Sequence, residues 1–484
     1  MSELARQGGK SRQLALVVLC LASLMVVLDG TIVVVALPSI QSDLGFSPPN
    51  LAWVVNAYLV PFGGLLLLSG RLGDLVGRRR VFLIGLFVFT LASLACGLAT
   101  DQVMLIVFRF VQGTGGALAS SVVLSMIVTL FPEQREQGKA LGLFSFVQAG
   151  GASIGMILGG VLTQGLSWHW TMLVNVPIGI VVVAASFALL ERDRGAGLRA
   201  GIDVLGAVLV TAGAMLLVYV IVDTGAPARR WSLFAAAVVL LVAFVVRQAK
   251  AATPLLPLGL FRARPVTAGN IVMVLLVAGM MGFQFLTALY LQQVLGLDAL
   301  ATGFAFLPTP VANALVSLGF GPRLIAKIGA RKVLAGGMLI AALGLVLLAR
   351  VPVDGNYFTD VLPALLLAGI GMGAAVPAVV GAGMSAGSPE HAGVASGLVN
   401  TTLQIGSAMG TAVLATVAAT RTADLEGSGT ARLDAAASGF HLAYVGSTVF
   451  VVLAILAAVV LVPRRFGMTE TPAEVRPEVQ PEAH

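Results

Sequence analysis

The sequence predicts an all-α integral membrane protein, two six-helix bundles with two extra spans between them, and three observations carry that expectation. The chain is 58% hydrophobic and only 11% charged, far from the balance of soluble globular domains. Its apolar residues fall into fourteen runs, each about the length a helix needs to cross the hydrocarbon of a bilayer. The basic residues are crowded into every second connection between those runs.

The runs lie at 14–37, 51–70, 80–99, 103–125, 138–163, 169–190, 201–222, 231–248, 267–292, 302–322, 332–350, 361–384, 396–420 and 441–463. At such lengths only helices satisfy all of their own backbone hydrogen bonds in lipid, so each is assigned as a spanning helix. The first follows a basic lead of Arg6, Lys10 and Arg12, as a signal peptide would. Its apolar stretch is longer than a signal core and has no small-x-small cleavage site, so it is read as a retained span. Residues 14–190 then form the first bundle, 201–248 the two extra spans and 267–463 the second bundle. Residues 1–13 and 464–484 are tails whose polar, Pro/Glu-rich composition predicts disorder.

An even number of spans puts both termini on one side. The tails and even-numbered loops hold 23 of the 29 lysines and arginines; the odd-numbered loops hold Arg229, Arg230, Arg350, Arg421 and Arg432, and Arg109 lies within a span. By the positive-inside rule both termini are expected in the cytoplasm. The net charge of +7 is therefore a topology signal and not a nucleic-acid-binding patch.

An internal repeat supports the duplicated plan. RLGDLVGRRRV at Arg71–Val81 and RLIAKIGARKV at Arg323–Val333 share residues at matching offsets, about half a chain apart. Membrane transporters built from repeated bundles bind substrate at the interface between the repeats. In the first copy Asp74 precedes Arg78 by four residues, a spacing that allows pairing on a helix, while Gly70, Gly73 and Gly77 allow sharp turns and close approach. The second copy has Ala326 in place of Asp74, so a charged latch is expected only in the first half. A plain solvated loop is the competing reading.

Charges inside the spans are the strongest functional candidates. Asp29 lies about 12 Å from the far end of the first span and Arg109 about 9 Å into the fourth from the same side, at helical rise. Each such charge costs on the order of 3 kcal/mol on insertion scales, so idle placement is disfavoured; a structural ion pair is the bland alternative. Arg109, Gln112, Gly113 and Gly116 recur on one helical face. An arginine beside a carboxylate that gains and loses a proton links proton occupancy to packing.

In the fifth span Gly151, Gly155, Gly159 and Gly160 form a small-residue stripe suited to close helix contact. In the thirteenth, Asn400, Gln404, Ser407 and Thr411 form a polar stripe, read either as interhelical glue or as cavity lining. Asn56, Gln112, Gln284, Gln292 and Asn313 join Asn400 and Gln404 as candidate substrate-cavity amides. Enzyme signatures are absent: there is no GxxxxGK[ST] loop and no HExxH, and His169, His391, His441 and His484 are scattered. Cys20 and Cys96 both fall in apolar runs, which supports neither a disulfide framework nor a metal cluster.

Several motifs in order resemble the major facilitator superfamily, and within it the fourteen-span drug:proton antiporters of the EmrB/QacA type. They are LDGTIVVVALP from Leu28, GRLGDLVGRRR from Gly70, RFVQGTGGA from Arg109, WHWTMLVNVPIG from Trp168, DVLGAVL from Asp203 and LYLQQVLG from Leu289. The resemblance implies the major facilitator fold in a bacterial-type cell membrane. It also implies proton-coupled efflux of small hydrophobic compounds by a functional monomer, with no cofactor and the proton gradient as energy source. By the same resemblance Asp29 and Arg109 belong to proton coupling, and Gly70, Gly73, Asp74, Gly77 and Arg78 to a gating loop. Gly155, Gly159 and Gly160 fall on the fifth-span antiporter motif, whose usual proline is Met156 here. The thirteenth span carries no carboxylate, which points to neutral or singly charged lipophiles rather than polycations. An uncoupled facilitator or importer, and a non-transporting receptor, stay open at this level.

Overall fold

The computed structural model describes residues 9–191, 203–223, 226–384 and 392–462, with the single positions 193, 195 and 197. Among them no residue lies in a β-strand, and fourteen helices are long and apolar enough to cross a membrane. These are α1 (Ser11–Leu44), α2 (Pro48–Val76), α3 (Arg78–Gly97), α4 (Gln102–Leu130), α5 (Lys139–Gly165), α6 (His169–Leu189), α7 (Val204–Val222), α8 (Pro227–Lys250), α9 (Arg264–Gln293), α10 (Ala299–Ser317), α11 (Ala330–Leu348), α12 (Tyr357–Gly383), α13 (Gly397–Gly427) and α14 (Arg432–Leu461). Each matches one apolar run. The tail expected over 1–13 is helical from Gly9 onward; its remainder and the tail 464–484 lie outside the described residues.

Local chemistry sets the helix ends. Asp101, Asp203 and Asp298 cap α4, α7 and α10 by accepting from the backbone N–H of Met104, Gly206 and Ala301, which satisfies one orphan donor at each start. Gly77 and Gly329 occupy equivalent places in the sequence repeat, and both have positive φ, 108° and 85°. Each ends one helix and begins the next, so the repeat is a repeat of backbone geometry at the one turn where only glycine is unstrained.

In the first half α1 packs on α5 and α6, and α4 on α2 and α3; in the second half α9 packs on α13 and α14, and α11 on α12 and α14. The halves meet along α2–α13 and α5–α10, with α1 against α9. Of the extra spans, α7 lies against α2 and α13, while α8 packs chiefly on α7 and leaves most of its surface to lipid. A polar latch ties the ends of this hairpin together. Asp203, just outside the membrane, accepts from Arg247 Nε at 2.9 Å and Gln248 Nε2 at 2.7 Å, and Gln248 Oε1 accepts from the Leu256 N–H. Burial alone would raise the Asp203 carboxyl, but the Arg247 guanidinium, the Gly206 N–H and the Gln248 amide together hold it below the ordinary carboxylate range.

The two faces of the bundle differ. The far half of α1 is enclosed, with Ile32, Val33, Val35, Ala36 and Leu37 fully buried, whereas Leu14, Val17 and Leu21 are exposed near its start. On the face opposite the chain ends, Gln292 Nε2 donates to Val35 O at 3.0 Å and Gln293 Nε2 to Gln41 Oε1 at 3.1 Å. There too a Cβ on Gly160 would stand 2.5 Å from Ala299 O, and one on Gly303 2.5 Å from Met156 O. Nothing comes within 4 Å of a Cβ built on Gly30, Gly142 or Gly150. The halves are therefore packed against each other on the far face, and toward the terminal face α2 and α13 also meet, where a Cβ on Gly397 would stand 2.5 Å from Leu67.

Candidate functional site

Asp29 and Arg109 meet, as their matched depths predicted. Arg109 Nη1 lies 2.6 Å from Asp29 Oδ2, and the two side chains are 1% and 0% exposed. Close helix packing brings α4 near enough for this: Gly113 and Gly116 seat against Tyr58 and Phe62 of α2, and a Cβ on Gly113 would collide with the Tyr58 carbonyl. The α3–α4 contact is built the same way, with Gly115 against the Phe89 backbone and Gly85 against Gly115 O.

A buried ion pair survives only when its remaining donors and acceptors are met, and here most are. Arg109 Nε donates to Val54 O at 3.0 Å, and its guanidinium carbon stands 4.5 Å over the Tyr58 ring, a cation–π contact. Gln112 Nε2 donates to Asp29 Oδ1 at 2.7 Å and to Ser93 Oγ at 2.6 Å, while its Oε1 accepts from Arg109 Nη1 at 2.7 Å. Asn175 Nδ2 donates to the same Asp29 Oδ1 at 2.8 Å. The centre thus joins α1, α2, α3, α4 and α6, all in the first half. Gly30, the next residue after Asp29, has no neighbour within 4 Å of a Cβ built on it, so the fully enclosed charge sits one residue from a loosely packed position.

Sequence reasoning found Asp29, Arg109 and Gln112 and missed Ser93, Tyr58 and Asn175. Asn175 was within reach as the polar residue of the WHWTMLVNVPIG segment, but that segment carried no assigned chemistry. Ser93 and Tyr58 sit in apolar runs where small hydroxyls and aromatics are ordinary packing residues.

The fifth-span stripe is a packing surface on both sides. Gly151, Gly155 and Gly159 seat against Leu24, Thr31 and Ile32 of α1, and Gly160 against Ala299 of α10. Met156 is buried beside this seam. The candidate cavity amides are dispersed. Gln112 is enclosed in the ionic centre, and Gln292 bonds across the halves to α1. Gln404 lies on Gly63, where Thr401 Oγ1 also donates to Gly63 O at 2.9 Å. Asn56 is fully buried and neither side-chain polar atom has a partner. Gln284 and Asn313 are half-buried and Asn400 is exposed.

At the terminal face, Arg78 Nη2 pairs with Asp74 at 3.2 Å and Nη1 donates to Thr129 at 3.1 Å. An unforeseen acid completes this loop: Asp193 accepts from the backbone N–H groups of Arg78 and Arg79, at 2.5 and 3.1 Å, and so caps α3. Arg79 is buried, donates to Phe187 O at 2.8 Å and lies over the Phe187 ring. In the second copy Arg323 donates to the Gly319 carbonyl at 3.3 Å, and Arg331, the counterpart of Arg79, donates to Val459 O.

Comparison with known proteins agrees with this architecture. The Major Facilitator Superfamily profile matches residues 19–411. The chain is 41% identical to the cephamycin export protein CmcT of Amycolatopsis lactamdurans, over 93% of this chain and 91% of that one. It is 37% identical to the puromycin resistance protein pur8 of Streptomyces alboniger, over 94% and 92%. Among solved structures, the nucleoside transporter NupG superposes with a TM-score of 0.62 at 14% identity, over 92% of this chain and 98% of that one. A bacterial homologue of the human lysosomal transporter Spinster, inward-facing and unoccupied, gives 0.64 at 18%, over 96% and 100%. With that profile, those relatives and fourteen spans, the chain belongs to the major facilitator superfamily and is a multi-pass membrane transporter, not an enzyme.

Proposed function

We propose that the protein exports small hydrophobic compounds of the antibiotic or drug class in exchange for protons, by rocking of its two halves in a bacterial cell membrane with both termini in the cytoplasm. The observation that carries the proton half of this reading is the Asp29–Arg109 ion pair enclosed within the spans. Ionisable groups buried within spans are costly and mark ion pathways. Export is supported by the relatives named for cephamycin export and puromycin resistance, and the orientation by the basic terminal face. In this frame the halves alternate access between the two faces of the membrane, and Asp29 is an ion-paired carboxylate. It takes up a proton when access is from outside and gives it up when access is from the cytoplasm, while substrate moves the opposite way.

The protein works as a monomer, binds no cofactor, and is driven by the gradient alone. One charge moved across 100 mV is worth about 2.3 kcal/mol, enough for accumulation ratios of several tens per proton. The substrate is a neutral or singly charged lipophile, since the thirteenth apolar run, 396–420, carries amides and hydroxyls but no carboxylate.

A susceptibility profile of a transporter-deficient host with and without the chain identifies the compounds. Those compounds are then followed in proteoliposomes under an imposed proton gradient. Asp29→Asn and Arg109→Ala are each expected to abolish gradient-driven uptake into inverted vesicles. Undiminished antiport in both variants, or transport that persists after the gradient is collapsed, overturns proton coupling and leaves facilitated diffusion.

A further inference from the structure

Asp29 must be stable in two protonation states, and its partners differ in which state they can serve. As a carboxylate it accepts three hydrogen bonds, from Arg109 Nη1 on Oδ2 and from Gln112 Nε2 and Asn175 Nδ2 on Oδ1. As a neutral acid it carries an O–H that needs an acceptor, because an unmet buried donor costs about 1–3 kcal/mol. Arg109 has only donors. Gln112 is fixed in orientation: its Nε2 serves Asp29 and Ser93, and its Oε1 accepts from Arg109 and stands 3.9 Å from Cys96 Sγ. Turning it over would set its amide N–H groups against the guanidinium.

Asn175 has no such commitment. Its side chain is fully buried, its Nδ2 faces Asp29, and its Oδ1 has no hydrogen-bond partner. A half-turn of this amide exchanges one satisfied group for the other and loses no hydrogen bond.

The geometry points to Asn175 as the positioning residue that lets Asp29 hold a proton: its amide donates to the carboxylate and, turned over, accepts the O–H of the acid. The inference rests on the reading of Asp29 as the proton carrier. A proton from solvent adds to Asp29, and no other covalent bond forms or breaks. The other ionisable groups around the centre are Arg109 on α4, Tyr58 on α2, whose hydroxyl donates to Val26 O at 3.4 Å, and Cys96 on α3. Among helices against α1, α5 has no ionisable side chain beyond Lys139 and α10 has none. On α6, His169 stacks on Trp168; on α9, Tyr290 donates to Pro352 O. Asn175 is thus the partner of Asp29 that can change from donor to acceptor.

The test is infrared difference spectroscopy of the purified full-length protein in lipid, titrated with acid, with no substrate present and with asparagine side-chain carbonyls carbon-13 labelled. The expected result is a carboxylic-acid band that is lost in Asp29→Asn, accompanied by a downshift of one labelled amide carbonyl that is lost in the same variant. In Asn175→Leu the amide change should vanish and the Asp29 acid band should move to higher frequency, as for an O–H without an acceptor. Asp29 protonation with no labelled amide change, or an acid band unmoved in Asn175→Leu, overturns the role of Asn175 and leaves Asp29 as the proton carrier. Absence of any band that depends on Asp29 overturns the proton reading and this inference with it. If Asn175→Leu does not fold, the labelled wild-type protein decides the matter alone.

Discussion

At the scale of single residues, the ionic centre makes opposite demands on stability and transport. Removing one partner of a buried pair leaves the other charge uncompensated, which costs about 3–5 kcal/mol, whereas removing both is often close to neutral. Asp29→Asn and Arg109→Gln are therefore each expected to lower the thermal unfolding temperature in detergent. The double variant should recover most of that loss and still fail to transport against a gradient. A double variant as unstable as the sum of the singles would show that the pair is not coupled as its 2.6 Å contact implies. This part of the site was legible because charge inside an apolar run is expensive and so stands out. Gln112 followed from its helical spacing to Arg109. Asn175 did not, since a single amide on a distant span carries no pattern and its value lies in an unpaired Oδ1 that only the fold reveals.

At the scale of elements, the turn at Gly77 separates folding from function. Asp193 caps α3 through two backbone N–H groups, and loss of such a cap costs about 1–2 kcal/mol. Asp74 is half-exposed and pairs with Arg78 across the Gly77 turn at the surface, so its bond is worth less than about 1 kcal/mol. Asp193→Ala should thus lower the unfolding temperature more than Asp74→Ala. Asp74→Ala should slow turnover more than any single change from Leu324 to Ile328, where the second copy has no acid. Equal turnover in those variants would show that the asymmetry between the copies is idle. The fourteen helices themselves were legible because hydropathy reports the hydrocarbon a helix must cross. Their ends were not: the helix that contains α1 starts at Gly9 and ends at Leu44, and α14 begins at Arg432, beyond the apolar runs. A helix continues through polar residues once it is nucleated, and hydropathy does not register this. Asp193 stayed hidden for a related reason: an acid in a basic loop looks like a solvated charge until a helix start is placed beside it.

At the scale of the whole molecule, the observed state is held on its far face by few polar contacts. Gln292 to Val35 O and Gln293 to Gln41 Oε1 bridge the halves there, beside the glycine contacts of α5 and α10. A neutral hydrogen bond contributes about 1 kcal/mol net, equivalent to about a fivefold change in a two-state population. A contact made in one state and absent in the other shifts the balance by its full differential energy, however small it is beside the total stability. Gln292→Leu keeps the apolar bulk and removes the bond, so it should move the population about fivefold away from the observed state, in which the far face is bridged. A cysteine in place of Val17, which is 45% exposed near the start of α1, reports that state when Cys20 and Cys96 are replaced by alanine. Its labelling by a membrane-impermeant maleimide, applied from the terminal side in vesicles, should slow by the same factor when that state dominates in neither variant. Gln293→Leu should add to the effect by less than another fivefold, because neighbouring contacts do not contribute independently. Labelling that is unchanged in both variants would mean that the far face is held by the Gly160–Ala299 and Gly303–Met156 packing. The corresponding lever would then be Gly160→Ala, whose added methyl meets the α10 backbone.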